Sequence, residues 1–494
     1  MNIKEAKNYI KDTVSAYLKK DEFGDYRIPV EKQRPVFLIG APGIGKTAIM
    51  SQIASELNIA LVSYSMTHHT RQSALGLPFI SKKTYGGSTY SVSEYTMSEI
   101  IASVYDTMEE SGVKEGILFL DEINCVSETL YPSMLQFLQY KVFGKHTVPP
   151  GWVIVTAGNP PEYNKAVREF DIVTLDRMKV IKVEADYPAW KAYASARAIH
   201  GAVTGFLESN RDSFYKVETT AYGKNYVTAR GWEDLSDMIK LYEEDGRPVS
   251  DSLICQYITD EKTVKDFSAY YDLYNKYRKQ YDVETIFAGK LTDATAKAAA
   301  DAPVDERLAL TGLLADTLKS EIRDVLAIHR VVKQVRGGVS TVVDAKAGEA
   351  AGKLDTLIDA SRTVMSQRSR AGSMSNAEKT HYKRIIKFYT DAKVRTDKGE
   401  NIKSIYNETV TALKADVTKQ QTRIDNLFDG MDRIFGADSN EMLVLVTELT
   451  LCPDTSEFLA DFGSGSYEKY NSVLKVGDRT ENLRRQILEL DELK

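Results

Sequence analysis

The sequence predicts an α/β chain in which a parallel sheet with helices on both faces comes first and helices alone make up the rest. Three observations carry this. A glycine-rich loop at residues 40–47 lies between a short apolar run, residues 36–39, and a segment of helical period, residues 48–57, so strand, loop and helix succeed one another. Further apolar β-prone runs at 60–64, 116–120 and 153–157 alternate with helical stretches at 98–110 and 128–139, the alternation that builds a covered parallel sheet. From about residue 187 to 281 strand signals stop, and aromatic-rich helices take over.

Each element has its own signal. Ile3, Ala6, Ile10, Val14, Tyr17 and Leu18 recur at spacings of three and four, which predicts an amphipathic first helix packed on the adjoining part of the chain. Residues 77–92 form two β-prone runs around Gly86-Gly87 and predict a hairpin inserted into the sheet domain. Ala294, Ala296, Ala298, Ala299 and Ala300 mark a helical or linker stretch at 292–303. Beyond it Leu310, Leu313, Leu314, Leu318, Ile322, Val325 and Leu326 share one helical stripe, with breaks expected at Gly337-Gly338 and at 370–375. The expected domains are therefore 1–185, with the hairpin at about 76–95, an all-α domain at 186–285, and a helical accessory or partner region at 286–494.

Composition bounds the function. With 494 residues, 43% of them hydrophobic and 27% charged, the chain can bury a large core and is not of a disordered or fibrous class. Sixty-four basic residues against 70 acidic leave a formal charge of −6, so no global cationic field is available to hold a nucleic acid. Cys125, Cys255 and Cys452 stand far apart, without zinc or redox spacing, which favours a reducing cytoplasm. The first 20 residues carry charges at Lys4, Glu5, Lys7, Lys11 and Asp12 and do not form a signal peptide. No apolar run reaches the roughly 18–20 residues of a membrane span.

The chemistry concentrates in the first domain. Gly40-Ala41-Pro42-Gly43-Ile44-Gly45-Lys46-Thr47 matches G-x-x-x-x-G-K-[ST] in full, after a strand and opening a helix. The glycines let backbone N–H groups close around a phosphate at the positive end of a helix. Lys46 would reach the β- and γ-phosphates of ATP, and the Thr47 hydroxyl would ligate Mg²⁺. The strand at 117–120 ends in Asp121-Glu122, at the end of a parallel sheet where ligands gather. Asp121 is placed to hold the Mg²⁺ shell, and Glu122 to orient and deprotonate the attacking water. Asn159, after the next strand, could bind that water or the γ-phosphate, or could serve only in the turn that Pro160 and Pro161 enforce. Arg168, Arg177 and Arg230 are candidates for stabilising transition-state charge. His68 and His69 are adjacent but lack a completing acid or cysteine, and are loop or interface histidines.

In this order, the 40–47 loop, Asp121-Glu122, Gly158-Asn159-Pro160, Leu175-Asp176-Arg177 and Thr228-Ala229-Arg230-Gly231 resemble an AAA+ ATPase, a P-loop NTPase αβα sandwich with an all-α lid. Gly76-Leu77-Pro78, Asp121-Glu122-Ile123-Asn124 and Ala157-Gly158-Asn159-Pro160-Pro161-Glu162 make the chain similar to the MoxR branch over roughly residues 1–285. The resemblance implies that Asn159 is the sensor-1 residue, Arg177 the arginine finger reaching a neighbouring subunit's γ-phosphate, and Arg230 the sensor-2 arginine of the lid. Arg168 stays open as the finger, because Met178 follows Arg177 where the family usually has Phe. It further implies a homo-oligomeric ring, usually a hexamer, an inserted hairpin that moves at the pore, and a protein client or partner bearing a von Willebrand factor A domain. ATP-driven remodelling leads; an ATP-gated assembly scaffold is the alternative, and a nucleic-acid motor using Lys82 and Lys83 is the third reading.

Overall fold

The computed structural model describes residues 1–68, 76–164, 167–220, 223–343 and 347–473. The chain divides into two compact units, one of Met1–Ala189 with Lys346–Asp397, the other of Trp190–Ala345 with Lys398–Lys494.

In the first unit five strands form one sheet. β1 (Val36–Gly40), β2 (Ala60–Ser65), β5 (Gly116–Asp121), β8 (Trp152–Gly158) and β9 (Lys179–Val183) lie in the order β2-β5-β8-β1-β9, every pair parallel. Apolar runs in β1, β5 and β8 are buried on both faces because helices cover the sheet on each side. Strand order reverses between β1 and β8, and at that switch point the carboxyl ends open a crevice. Register aligns the ends: Ile39 sits beside Gly158 and Ser65 beside Asp121. β9 carries no apolar run; its Lys-Val-Ile-Lys-Val pattern buries Ile181 and Val183, too weak a signal to predict a strand from sequence.

The first helix, Ile3–Tyr17, buries Ala6, Ile10, Val14 and Tyr17 as its spacing predicts, and Asn2 and Glu5 close a capping box at its start. Glu56, on the helix Lys46–Leu57, accepts from Lys7 and Lys11, each at 2.6 Å. β3 (Pro78–Tyr85) and β4 (Ser88–Tyr95) pair antiparallel through Gly86 and Gly87, both at positive φ as a type I′ turn requires. Phe79, Ile80, Tyr85, Tyr90 and Tyr95 on this hairpin are exposed. Two short strands, β6 (Val142–Phe143) and β7 (His146–Thr147), make a further small ladder. His68 ends a short turn, Met66–His68, and His69 lies outside the described residues.

Lys141, the C-cap of the helix Tyr131–Tyr140, is buried in this unit. Lys141, 3% exposed, donates to Gln33 Oε1 at 3.0 Å and the Trp152 carbonyl at 3.3 Å. Burial pulls its ammonium down to about 8 from 10.5, Glu31 opposing the fall. The unfolded chain therefore holds this proton more tightly than the folded one, and stability rises as pH climbs from about 8 towards 10.5. Between pH 7 and pH 9.5 the contribution is about 2 kcal/mol. Denaturant unfolding of parent and Lys141→Met at the two pH values should show this increment in the parent alone; an equal pH response in both would remove Lys141 as its source.

Among its described residues the second unit is helical apart from one ladder, β10 (Lys216–Thr220) with β11 (Gly223–Val227), inside the segment where strand signals stop. The helices Val304–Val343, of 40 residues, and Ile402–Phe435, of 34, run through it. The stripe from Leu310 to Leu326 is buried. Gly337-Gly338 does not break the long helix, because Val335, Val339 and Val342 continue the buried face and outweigh a propensity cost of about 1 kcal/mol per glycine. At 371–375 the expected break does occur, between the helices Ala347–Arg370 and Asn376–Asp397 of the first unit.

Candidate nucleotide site

The loop leaving β1 is shaped by its glycines. A Cβ on Gly40 would lie 2.7 Å from the Val183 carbonyl and from Ile44 Cδ1, so only glycine fits between β1 and β9 there. Gly43 and Gly45 take φ of +74° and +95°, the second as the N-cap of the helix Lys46–Leu57. Ala41 and Ile44 are buried and tie the loop to the core. Loop backbone and helix N-terminus together form a cradle for an anion.

Side chains from three strand ends converge on this cradle. Lys46, 8% exposed, donates to the carbonyls of Gly40 and Ala41 at 2.7 and 2.8 Å and to Asn159 Oδ1 at 2.9 Å. The Thr47 hydroxyl donates to Asp121 Oδ2 at 2.9 Å. These two oxygens, a hydroxyl and a carboxylate, are the hard donors that Mg²⁺ takes, and Asp121 at the end of β5 supplies the charge. Asp121 also accepts the Glu122 N–H through Oδ1 at 2.9 Å.

Glu122 has φ +56°, a left-handed conformation that costs a non-glycine residue about 1 kcal/mol or more. This turns its side chain towards the end of β2. There Oε2 accepts from Ser65 Oγ at 3.1 Å and Thr67 Oγ1 at 3.0 Å, the two hydroxyls themselves 3.0 Å apart. Sequence reasoning does not single out Ser65 and Thr67; a hydroxyl cluster closing a strand beside the Asp-Glu strand is the signal that could find them. Asn124 likewise has no role on sequence grounds. It is 5% exposed, and its Nδ2 donates to the Asn159 carbonyl at 2.8 Å. A Cβ on Gly158 would sit 2.4 Å from Asn124 Oδ1, so this glycine lets the asparagine brace the turn that presents Asn159. Cys125 is next along the chain, its thiol pushed up by burial and by the Glu122 and Asp121 charges, which keeps it protonated and unreactive.

Arg177 and Arg168 each pair with a side chain outside this set. Arg177, exposed, donates to Gln139 Oε1 at 2.8 Å beside a small cleft lined by Pro35, Leu138 and Met178. Arg168 pairs with Glu128. Met178 is buried in the core, where its flexible apolar side chain packs. Arg230 belongs to the second unit, exposed in the first turn of the helix Ala229–Glu244, whose N-cap Thr228 accepts the Gly231 N–H at 3.1 Å.

Residues 36–175 match the family of ATPases associated with various cellular activities (AAA). No curated protein matches the chain. Among solved structures the chain is similar to NtrX from Brucella abortus, at 15% identity and a TM-score of 0.28, covering 52% of this chain and 58% of that one. The chain thus spans little more than half of that protein's length, and an overlap of that extent carries no argument about this one. No described helix is long and apolar enough to cross a membrane.

Proposed function

We propose that the chain, whose residues 36–175 match the AAA ATPase family, is a MoxR-type AAA+ ATPase that hydrolyses ATP at the interfaces of a ring and uses the cycle to remodel a protein client. The observation that supports the hydrolytic reading is the joining of the phosphate loop and its helix to the ends of β5 and β8, Thr47 to Asp121 and Lys46 to Asn159. In this reading Lys46 exchanges its carbonyl acceptors for phosphate oxygens, and Thr47 and Asp121 hold Mg²⁺. When bound, the ion neutralises charge that develops on the phosphates. Glu122 takes the proton of the attacking water, and Asn159 orients that water or the γ-phosphate.

AAA domains commonly form oligomeric rings. Arg177 is exposed, as a group serving a neighbouring subunit must be, and it is the finger in this reading. Arg230 carries nucleotide state into its own helical segment, and the exposed aromatics of the β3-β4 hairpin meet the client.

ATPase rate measured against protein concentration, with mass determined in parallel, tests the ring. The specific rate should rise as the oligomer forms; a concentration-independent rate from a monomer would overturn the interface site. Arg177 in trans has its own expected result. Arg177→Ala subunits should lose about 10³-fold in rate alone and regain part of it when mixed with Lys46→Ala subunits, whose intact fingers complete some sites. Mixtures that never recover would transfer the role away from Arg177.

A further inference from the structure

A helical hairpin far along the chain is built onto the same unit as the nucleotide site. Residues 346–397 leave the sequence of the second unit to join the first, as the helices Ala347–Arg370 and Asn376–Asp397. Two sets of contacts seat their connecting turn.

The first set holds the free edge of the sheet. β2 is an edge strand, so alternate N–H groups along it have no strand partner. The Leu61 N–H, one of these, donates to the Ala371 carbonyl at 2.7 Å. The next residue, Gly372, has φ +65°, and a Cβ there would lie 2.7 Å from the Leu61 carbonyl. Only glycine allows the turn to lie this close to the strand.

A second set holds the far end of the phosphate-loop helix. Glu378 accepts from Ser55 Oγ at 3.1 Å and from Arg368 Nη2 at 2.6 Å, and Arg368 Nη2 also donates to Ser55 Oγ at 3.3 Å. Burial raises the Glu378 carboxyl, but bonds from Ser375 and Arg368 outweigh it and hold the group ionised below its ordinary range. Ser375 also caps the second helix reciprocally with Glu378, so the residue that grips Ser55 is itself fixed in orientation.

Both gripped elements lead into the site. The helix Lys46–Leu57 begins at Lys46 and Thr47, and β2 ends at Ser65, which with Thr67 holds the Glu122 carboxylate. A strand is stiff along its length, and Leu61 and Ser65 share one face of it. We infer that the 346–397 hairpin is a positioning element for hydrolysis, fixing β2 through Leu61 and so the Ser65 and Thr67 hydroxyls against Glu122. The inference rests on the reading of Glu122 as the hydrolytic base. Gly372, Arg368 and Glu378 are positioning residues, since none of them meets the nucleotide.

The test is Gly372→Val in the full chain, with kcat, KM and the Kd of a fluorescent ATP analogue measured well below the melting temperature. The added side chain should lever the turn from the strand and lower kcat about tenfold while Kd stays within about twofold of the parent, since misplacing a reacting group costs rate before affinity. The same kcat should appear in the Gly372→Val, Ser65→Ala double variant as in the lower of the two single ones, because both act through one carboxylate. If Gly372→Val does not fold, Glu378→Gln, which keeps shape and loosens Arg368 and Ser55, should give the same split in smaller measure. A folded variant with parental kcat, or one whose kcat and affinity fall together, overturns the positioning role. Parent and Glu122→Gln controls separate the two claims: equal hydrolysis by both removes Glu122 as the base, whereas Glu122-dependent hydrolysis that ignores the hairpin removes only the hairpin.

Discussion

Lys46→Ala should weaken ATP binding by about 100-fold or more, the loss of a buried ammonium that makes charge-assisted hydrogen bonds of about 1.5–3 kcal/mol each. In the folded protein this ammonium is already gathered at the loop, on the carbonyls of Gly40 and Ala41 and the amide of Asn159. These are neutral acceptors, and phosphate oxygens carrying charge replace them favourably. Alanine leaves two loop carbonyls and the Asn159 amide without that donor, so Asn159 should also lose its fixed orientation. Titration with a fluorescent ATP analogue reads the affinity directly. A Kd within a few fold of the parent, in a variant with an unchanged melting temperature, would mean that the loop backbone binds the nucleotide without this lysine.

The nucleotide loop is legible in the sequence because its chemistry demands local residues in a fixed order. A strand must feed the loop, glycines must adopt positive φ at Gly43 and Gly45, and a helix must open at Lys46; each requirement leaves its mark within about twelve positions of sequence. Asp121 and Glu122 are legible for the same reason, as acids closing an apolar strand. Other features are products of tertiary neighbours. β9 buries two side chains at the sheet edge and reads as a charged segment, and Gly337-Gly338 continues a helix because the valines around it stay buried. Ser65 and Thr67 look like any hydroxyls until β2 is placed beside β5, since register, which no short motif encodes, brings Ser65 alongside Asp121. The return of residues 346–397 to the first unit is made through contacts far apart in sequence, such as Leu61 with Ala371 and Ser55 with Glu378, and no periodicity announces it.

Glu122→Gln is the second large effect, and it should run opposite to Lys46→Ala in binding while matching it in loss of turnover. The amide has the shape of the carboxylate and can still accept from Ser65 and Thr67, so the left-handed turn at residue 122 and the bond from its N–H to Asp121 should persist. What disappears is the capacity to take a proton from water, a contribution of about 10² to 10⁴ in rate. ATP should therefore bind with parental affinity and remain unhydrolysed, and any oligomer that bound nucleotide stabilises should persist longer in the variant than in the parent. Single-turnover hydrolysis, nucleotide affinity and mass on one preparation separate the possibilities. Rapid hydrolysis by the variant would assign proton transfer elsewhere, and lost affinity would make Glu122 part of the binding cradle. Retained affinity with turnover slowed about 100-fold or more is the outcome that would assign proton transfer to Glu122, held by two hydroxyls at the end of β2.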